Sequence, residues 1–209
     1  MTSSLFDLEA RTDEQIVAGF VSTRRPAAYD ASGTSLVLHC VYRGREAAAR
    51  ALIAAGHREG VHEAAALGDS LRLGILLDAI PSSVDTLSPD GWTALHLAAF
   101  FGRTETAQLL LRRGADAGLW SRSFERNLAI HAAAAGRGRE ITLLEALIAA
   151  TPDIDAVQEK GYSALLIAAS GGKTDWIDRL AQAGADRNRL TKDGKSVIGL
   201  TQAASRNTN

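Results

Sequence analysis

The stretch Gly91-Trp92-Thr93-Ala94-Leu95-His96-Leu97-Ala98-Ala99 returns seventy residues later as Gly161-Tyr162-Ser163-Ala164-Leu165-Leu166-Ile167-Ala168-Ala169. The glycines move with it: Gly102 returns as Gly172, and Gly114-Ala115-Asp116 as Gly184-Ala185-Asp186. Midway stands Leu128-Ala129-Ile130-His131-Ala132-Ala133, thirty-five residues from each. Several anchors shifting together by one such period mark an array of small repeated units. A unit of that size cannot bury its own apolar faces, so neighbours must share one core.

Each unit reads as two short helices. Thr93 is placed to cap the first through its hydroxyl, worth about 1 kcal/mol. Ala94 takes the first helical position, where proline would also be tolerated. Leu95, Ala98 and Ala99 face inward, and the small alanines let neighbouring helices approach closely. Gly102 breaks the first helix, and Thr104 is placed to cap the second. Ala107, Leu110 and Leu111 form its buried stripe at helical spacing. Gly114 supplies the left-handed C-terminal cap, a conformation other residues adopt only at a cost.

Thr93-Ala94-Leu95-His96-Leu97-Ala98 resembles the T-P-L-H-x-A signature of ankyrin repeats, with Ala94 where that signature has proline. The resemblance covers roughly residues 30–205 and implies an all-α fold, an α-solenoid of about five helix-turn-helix repeats. The expected repeats are 30–57, 58–86, 87–119, 120–156 and 157–188, followed by a truncated capping repeat, 189–205. A short amphipathic helix, Thr12 to Ser22 (Ile16, Val17, Phe20, Val21), is expected to cap the other end within an N-terminal arm, 1–29. Arg24-Arg25-Pro26 should end that helix, and 206–209 should be a disordered tail. The second unit lacks most of its leading turn, and its second helix ends at Ile80-Pro81 where a glycine is expected. The fourth carries about two extra residues around Gly136-Arg137-Gly138.

Composition excludes little but excludes it cleanly. Hydrophobic residues at 46% and charged residues at 22% are ordinary for a soluble folded chain. A formal net charge of −1 provides no overall field for nucleic acid or anionic lipid. Arginine outnumbers lysine, 19 to four, amid abundant alanine, which suits a GC-rich bacterial source. The single cysteine, Cys40, cannot form an internal disulfide, so a reducing compartment is expected. No apolar run has the length of a signal peptide or membrane span, and the cytoplasm is the default location.

His62, His96 and His131 fall 34 and 35 residues apart, at one place in successive units. A catalytic histidine has no reason to recur at the structural period, nor to be replaced by Leu166 in the fifth unit. In the family resembled, that imidazole hydrogen-bonds the turn and the neighbouring repeat. Gly172-Lys173-Thr174 and Gly194-Lys195-Ser196 resemble the end of a phosphate-binding loop. The glycine that motif needs five residues earlier is replaced by Ile167 and Arg189. His39 and Cys40 are adjacent, so on a helix they point apart and make a poor nucleophile–base pair. His57 and His62 lack a metal-ligand constellation. No catalytic, cofactor-binding or metal residue is expected, and no cofactor. The arginine runs, 43–58 and 103–126, are interspersed with carboxylates, as on a solvated face.

Binding is expected instead on the concave surface of turn tips and exposed first-helix residues, which in ankyrin arrays takes another protein. The candidates are Asp90, Trp92, Phe100, Phe101 and Arg103 in the third unit. Lys160 and Tyr162, with Ser170 and Gly171, represent the fifth, and Tyr42 and Arg43 the first. Trp120, Arg122 and Phe124 lie in the turn between the third and fourth. Four of only 11 aromatics (Trp92, Phe100, Phe101, Tyr162) fall at positions expected to be surface, and together they would exceed the apolar patch a monomer normally exposes. The competing expectation is that Phe100 or Phe101 tucks under the next repeat and Trp120 packs on an irregular turn. The functional expectation is a monomeric, non-enzymatic protein-binding scaffold; the alternative is an inhibitor or immunity-type protein that blocks a partner enzyme.

Overall fold

A computed structural model describes residues 6–23 and 28–206. The expectation for Arg24-Arg25-Pro26 lies outside the described residues, as does that of a tail at 206–209 except at Arg206, which is the last residue of a helix and not part of a tail. Twelve α-helices are found among them: α1 Asp13–Thr23, α2 Leu36–Tyr42, α3 Glu46–Ala54, α4 Val61–Leu67, α5 Ser70–Ala79, α6 Ala94–Phe100, α7 Thr104–Arg112, α8 Ala129–Ala135, α9 Ile141–Ala150, α10 Ala164–Ser170, α11 Thr174–Gln182 and α12 Val197–Arg206. The fold is an all-α solenoid of five helix pairs closed at each end by a single helix.

First helices α2, α4, α6, α8, α10 and α12 pack in succession, as do second helices α5, α7, α9 and α11. Leu95, Ile130 and Leu165, one from each of three successive first helices, are buried in one continuous core. The seven-residue first helices are almost wholly buried because alanine dominates their inner faces. At the ends, α1 covers α3 with Ile16 and Phe20, and α12 covers α10 with Val197 and Leu200. Val21, expected on the inner face of α1, is exposed.

Outside the second repeat, each leading turn is a finger pinched at its base by a backbone bond, in the third finger paired with a bond to a side-chain hydroxyl. Ser88 N–H donates to the Trp92 carbonyl at 2.8 Å and Ser88 Oγ accepts from Trp92 N–H at 3.0 Å. The backbone half of that clamp recurs between Asp30 and Thr34, Gln158 and Tyr162, and Thr191 and Lys195. Its turn closes through glycines at positive φ, such as Gly91 at 85°. Behind the finger, Thr93 Oγ1 accepts from His96 N–H, so it caps α6 as expected. Thr104 does not cap α7. Its hydroxyl donates instead to Glu140 of the next repeat, because Arg103 occupies the cap position.

The second repeat has no finger. Six residues, 55–60, join α3 to α4, where sixteen, 113–128, join α7 to α8. Buried His57 fills part of the gap, its Nε2 accepting from Ala28 N–H at 3.2 Å. The third finger therefore rests directly on the first: Pro89 lies 3.4 Å from where a Cβ on Gly33 would stand, and the Tyr42 hydroxyl donates to Asp90. α3 packs on α1 and touches α5 little.

Candidate protein-binding surface

The recurring histidines are framework. His96 Nδ1 sits 2.7 Å from Thr93 Oγ1, and Nε2–H donates to the Asn127 carbonyl of the next finger at 2.8 Å. His131 repeats this with Leu128 N–H and the Ala156 carbonyl, and His62 Nε2 meets the Thr86 carbonyl. Burial pushes the His96 pKa down to about 4 and lowers that of His131. The buried His96 and His131 rings therefore stay neutral near pH 7, and each of the three histidines ties one repeat to the next.

A second periodic device was not singled out in the sequence. The residue after the mid-repeat glycine is basic in repeats one, three and five (Arg45, Arg103, Lys173) and reaches back over the preceding layer. Arg103 Nε donates to the Ala66 carbonyl at the end of α4, and its Nη2 pairs with Glu46 at 2.5 Å. Lys173 spends all three protons on the Ala133, Gly136 and Gly138 carbonyls at 2.8–2.9 Å, capping α8. A cation at a helix C-terminus is favoured there by the backbone dipole. Arg103, expected at a binding surface, is thus occupied within the fold, and the phosphate-loop lookalike at Lys173 serves the same architecture. Their common place one residue after each glycine was the available signal.

Tyr42, Asp90 and Phe101 form a third internal group. The expectation that both residues before Gly102 face outward fails at Phe101, which is 5% exposed. Its ring stacks on Tyr42 at 5.9 Å across the gap left by the missing finger, and the Arg137 guanidinium lies 5.4 Å over it. Arg137 also donates to the Tyr42 carbonyl at 3.3 Å. These contacts close the concave face between repeats one and four. Arg43 stays exposed, 3.5 Å from His39 Nδ1.

Beyond that clasp the concave face opens into a groove of about 670 Å3 over repeats three to five. Trp92 and Phe100, packed edge to face at 5.6 Å, form one wall, and Tyr162 with Ile167 forms the other. The floor is α8, whose Ala132, Ala134 and Ala135 are small. Ala135 holds the register position that Phe100 holds in α6, so one substitution of size between repeats makes the hollow. Lys160, Arg139 and Glu125 stand at its rim. Trp92, Phe100, Lys160 and Tyr162 are therefore brought together. Arg139, Ile167 and the alanine floor were missed, because depth is a property of three neighbouring helices and not of any one.

Trp120, Arg122 and Phe124 lie elsewhere, on the fourth finger. Trp120 is half-buried and stacks on His131 at 5.9 Å. Phe124 is 82% exposed, and Arg122 is exposed beside it.

A family model described as "Ankyrin repeats (3 copies)" matches residues 13–121 and 61–155, together more than half of the chain. The chain belongs to the ankyrin repeat family. Over 108 residues it is 34% identical to Neurogenic locus notch homolog protein 1 of Xenopus laevis and 32% to that of Danio rerio. Each match covers 52% of this chain and only 4% of the relative. Over 127 residues it is 29% identical to Protein phosphatase 1 regulatory subunit 27 of Mus musculus, covering 61% of this chain and 58% of that one. Ankyrin repeats are protein-interaction modules and generally not catalytic. The fifth ankyrin repeat, α10 and α11, lies beyond the matched residues yet keeps the same finger, cap and glycines. Among the described residues no group of His, Cys, Asp or Glu is arranged to hold a metal, and no helix is long and apolar enough to cross a membrane.

Proposed function

We propose that the chain is a non-catalytic ankyrin scaffold that takes a protein partner into the groove over repeats three to five. The observation that carries this is the pairing of two aromatic walls, Trp92 with Phe100 and Tyr162, across an alanine floor. Aromatic side chains in a concave, preformed site supply large contact area, and little ordering entropy opposes association. The scaffold acts as a monomer in the cytoplasm, where the buried Cys40 thiol stays reduced. Tyr162→Ala and Trp92→Ala test the reading: partner capture should fall by tenfold or more, roughly the cost of losing an interface hot spot, with the midpoint of thermal unfolding little changed for Tyr162→Ala. Loss of stability with capture intact would make these residues core and remove the site.

A second reading, in which the partner is an enzyme held inactive, is supported by the similarity to a phosphatase regulatory subunit. It is tested by assaying the captured partner with and without the purified chain.

A further inference from the structure

The fourth finger departs from its neighbours in three ways at one tip. Its base is clamped as the others are, Ser121 N–H donating to Asn127 O at 2.8 Å and Ser121 Oγ accepting from Asn127 N–H at 2.9 Å. Between the clamps, however, stand five residues, 122–126, where the other fingers have three, such as 89–91. The additional length raises Phe124 into solvent. Where Gly33, Gly91, Gly161 and Gly194 turn the other fingers at positive φ, this one has Arg126 at φ 49°, the sole non-glycine in that region among the described residues. A left-handed arginine costs folding free energy, an exposed phenylalanine forgoes the gain of burial, and such strain concentrates where a segment is held for binding.

The surroundings say what would bind. Arg122, Arg126, Lys160 and Lys192 border the tip, against Glu125 and Glu159. Arg126 pairs with Glu159 at 3.4 Å and Lys160 with Glu125 at 3.7 Å. Arg122 and Lys192, both exposed, have no carboxylate partner among the described residues. The Arg126 guanidinium lies 5.9 Å over Trp120, and an open hollow of about 640 Å3 runs between Trp120 and Phe124.

We propose that the fourth finger docks an extended acidic peptide segment of the partner. An apolar side chain of that segment packs between Phe124 and Trp120, and its carboxylates meet Arg122 and Lys192. The two glutamates on the same surface disfavour a uniform polyanion such as nucleic acid and favour a ligand with separated charges. The proposal rests on the protein-binding reading above, because Lys160 and Glu125 also border the groove, and it extends the contact from groove to fingertip.

The test is selection of a displayed library of random peptides on the full chain, followed by titration of the synthesised winners. Expected winners carry Asp or Glu flanking Leu, Ile or Phe. Phe124→Ala and the pair Arg122→Glu, Lys192→Glu should each weaken them about tenfold or more, and added salt should weaken them further. Arg126→Gly should leave the melting temperature unchanged or raised. Winners without an acidic bias, no winners, or displacement by a single-stranded oligonucleotide would overturn the proposal. So would a sharp fall in melting temperature for Arg126→Gly, which would mean that Arg126 is held for folding. Winners that depend on Tyr162 and ignore Phe124 would remove the fingertip and leave the groove standing.

Discussion

At the scale of single residues, chemistry that looks available is spent on structure. His96 is the clearest case. Its folded pKa lies at about 4 against 6.5 for the free side chain, so between those values the unfolded chain binds the proton first. Its contribution to stability is whole above about pH 6.5 and is lost as the pH falls towards 4, to a limit of about 3 kcal/mol. His131 shifts in the same direction for the same reason, burial. The fifth repeat carries Leu166 at this position, which suggests the probe. His96→Leu should be less stable at neutral pH, through loss of the Asn127 bond, and should show a shallower decline in acid. Urea unfolding followed from neutral to acid pH measures this; parallel declines for both proteins would show that His96 does not carry the acid sensitivity. Leu110, buried in the stripe of α7, is a plainer case: Leu110→Ala should cost roughly 2–5 kcal/mol in the same assay.

At the scale of elements, what matters is how one helix ends against the next. α8 stops at Ala135, and the insert that follows lies against α6: a Cβ on Gly136 would stand 2.0 Å from the Phe100 carbonyl oxygen. Only glycine permits that approach. Lys173 then closes the end of α8 from the following repeat. Lys173→Met keeps much of the stem but strips three carbonyls of their donors, and should cost about 3 kcal/mol by urea unfolding. If the loss were negligible, solvent would have to replace all three bonds. The two extra residues placed from the sequence around Gly136-Arg137-Gly138 lie there, five residues (136–140) joining α8 to α9 where three (101–103) join α6 to α7, and two further ones, not expected, sit in the finger between Ser121 and Asn127. The spacing of anchors counts insertions between them but does not say where within the interval they fall.

At the scale of the whole molecule, the missing second finger decides the shape of the binding face. The first and third fingers meet, the Tyr42–Phe101–Arg137 group seals that end, and the open groove is confined to repeats three to five. The N-terminal layers consequently depend on a few long-range contacts, α3 having little of α5 to lean on. Tyr42→Phe removes the hydroxyl bridge to Asp90 and should cost about 1 kcal/mol. In hydrogen exchange the loss of protection should fall on α1 to α3 and spare α8 to α11, since stability in such arrays is a sum of units and interfaces. A uniform loss along the chain would show the array opening as one body.

The sequence alone determined the unit, its register and its stacking. Hydrophobic spacing, capping residues and glycines act within a few residues of one another, and their period leaves one way to share a core. The bounds expected for α1 and the end expected for α5 came within a residue or two for that reason. What each exposed position faces was decided only by the tertiary structure. Phe100 and Phe101 are neighbours in the chain, yet one lines the groove and the other is sealed under Tyr42 and Arg137, because those partners arrive from repeats one and four. Arg103 and Arg122 are alike on paper, but Arg103 has a helix end and a glutamate within reach and Arg122 has open solvent. Local sequence sets which way a side chain leaves its helix; the curvature of the stack sets what it meets.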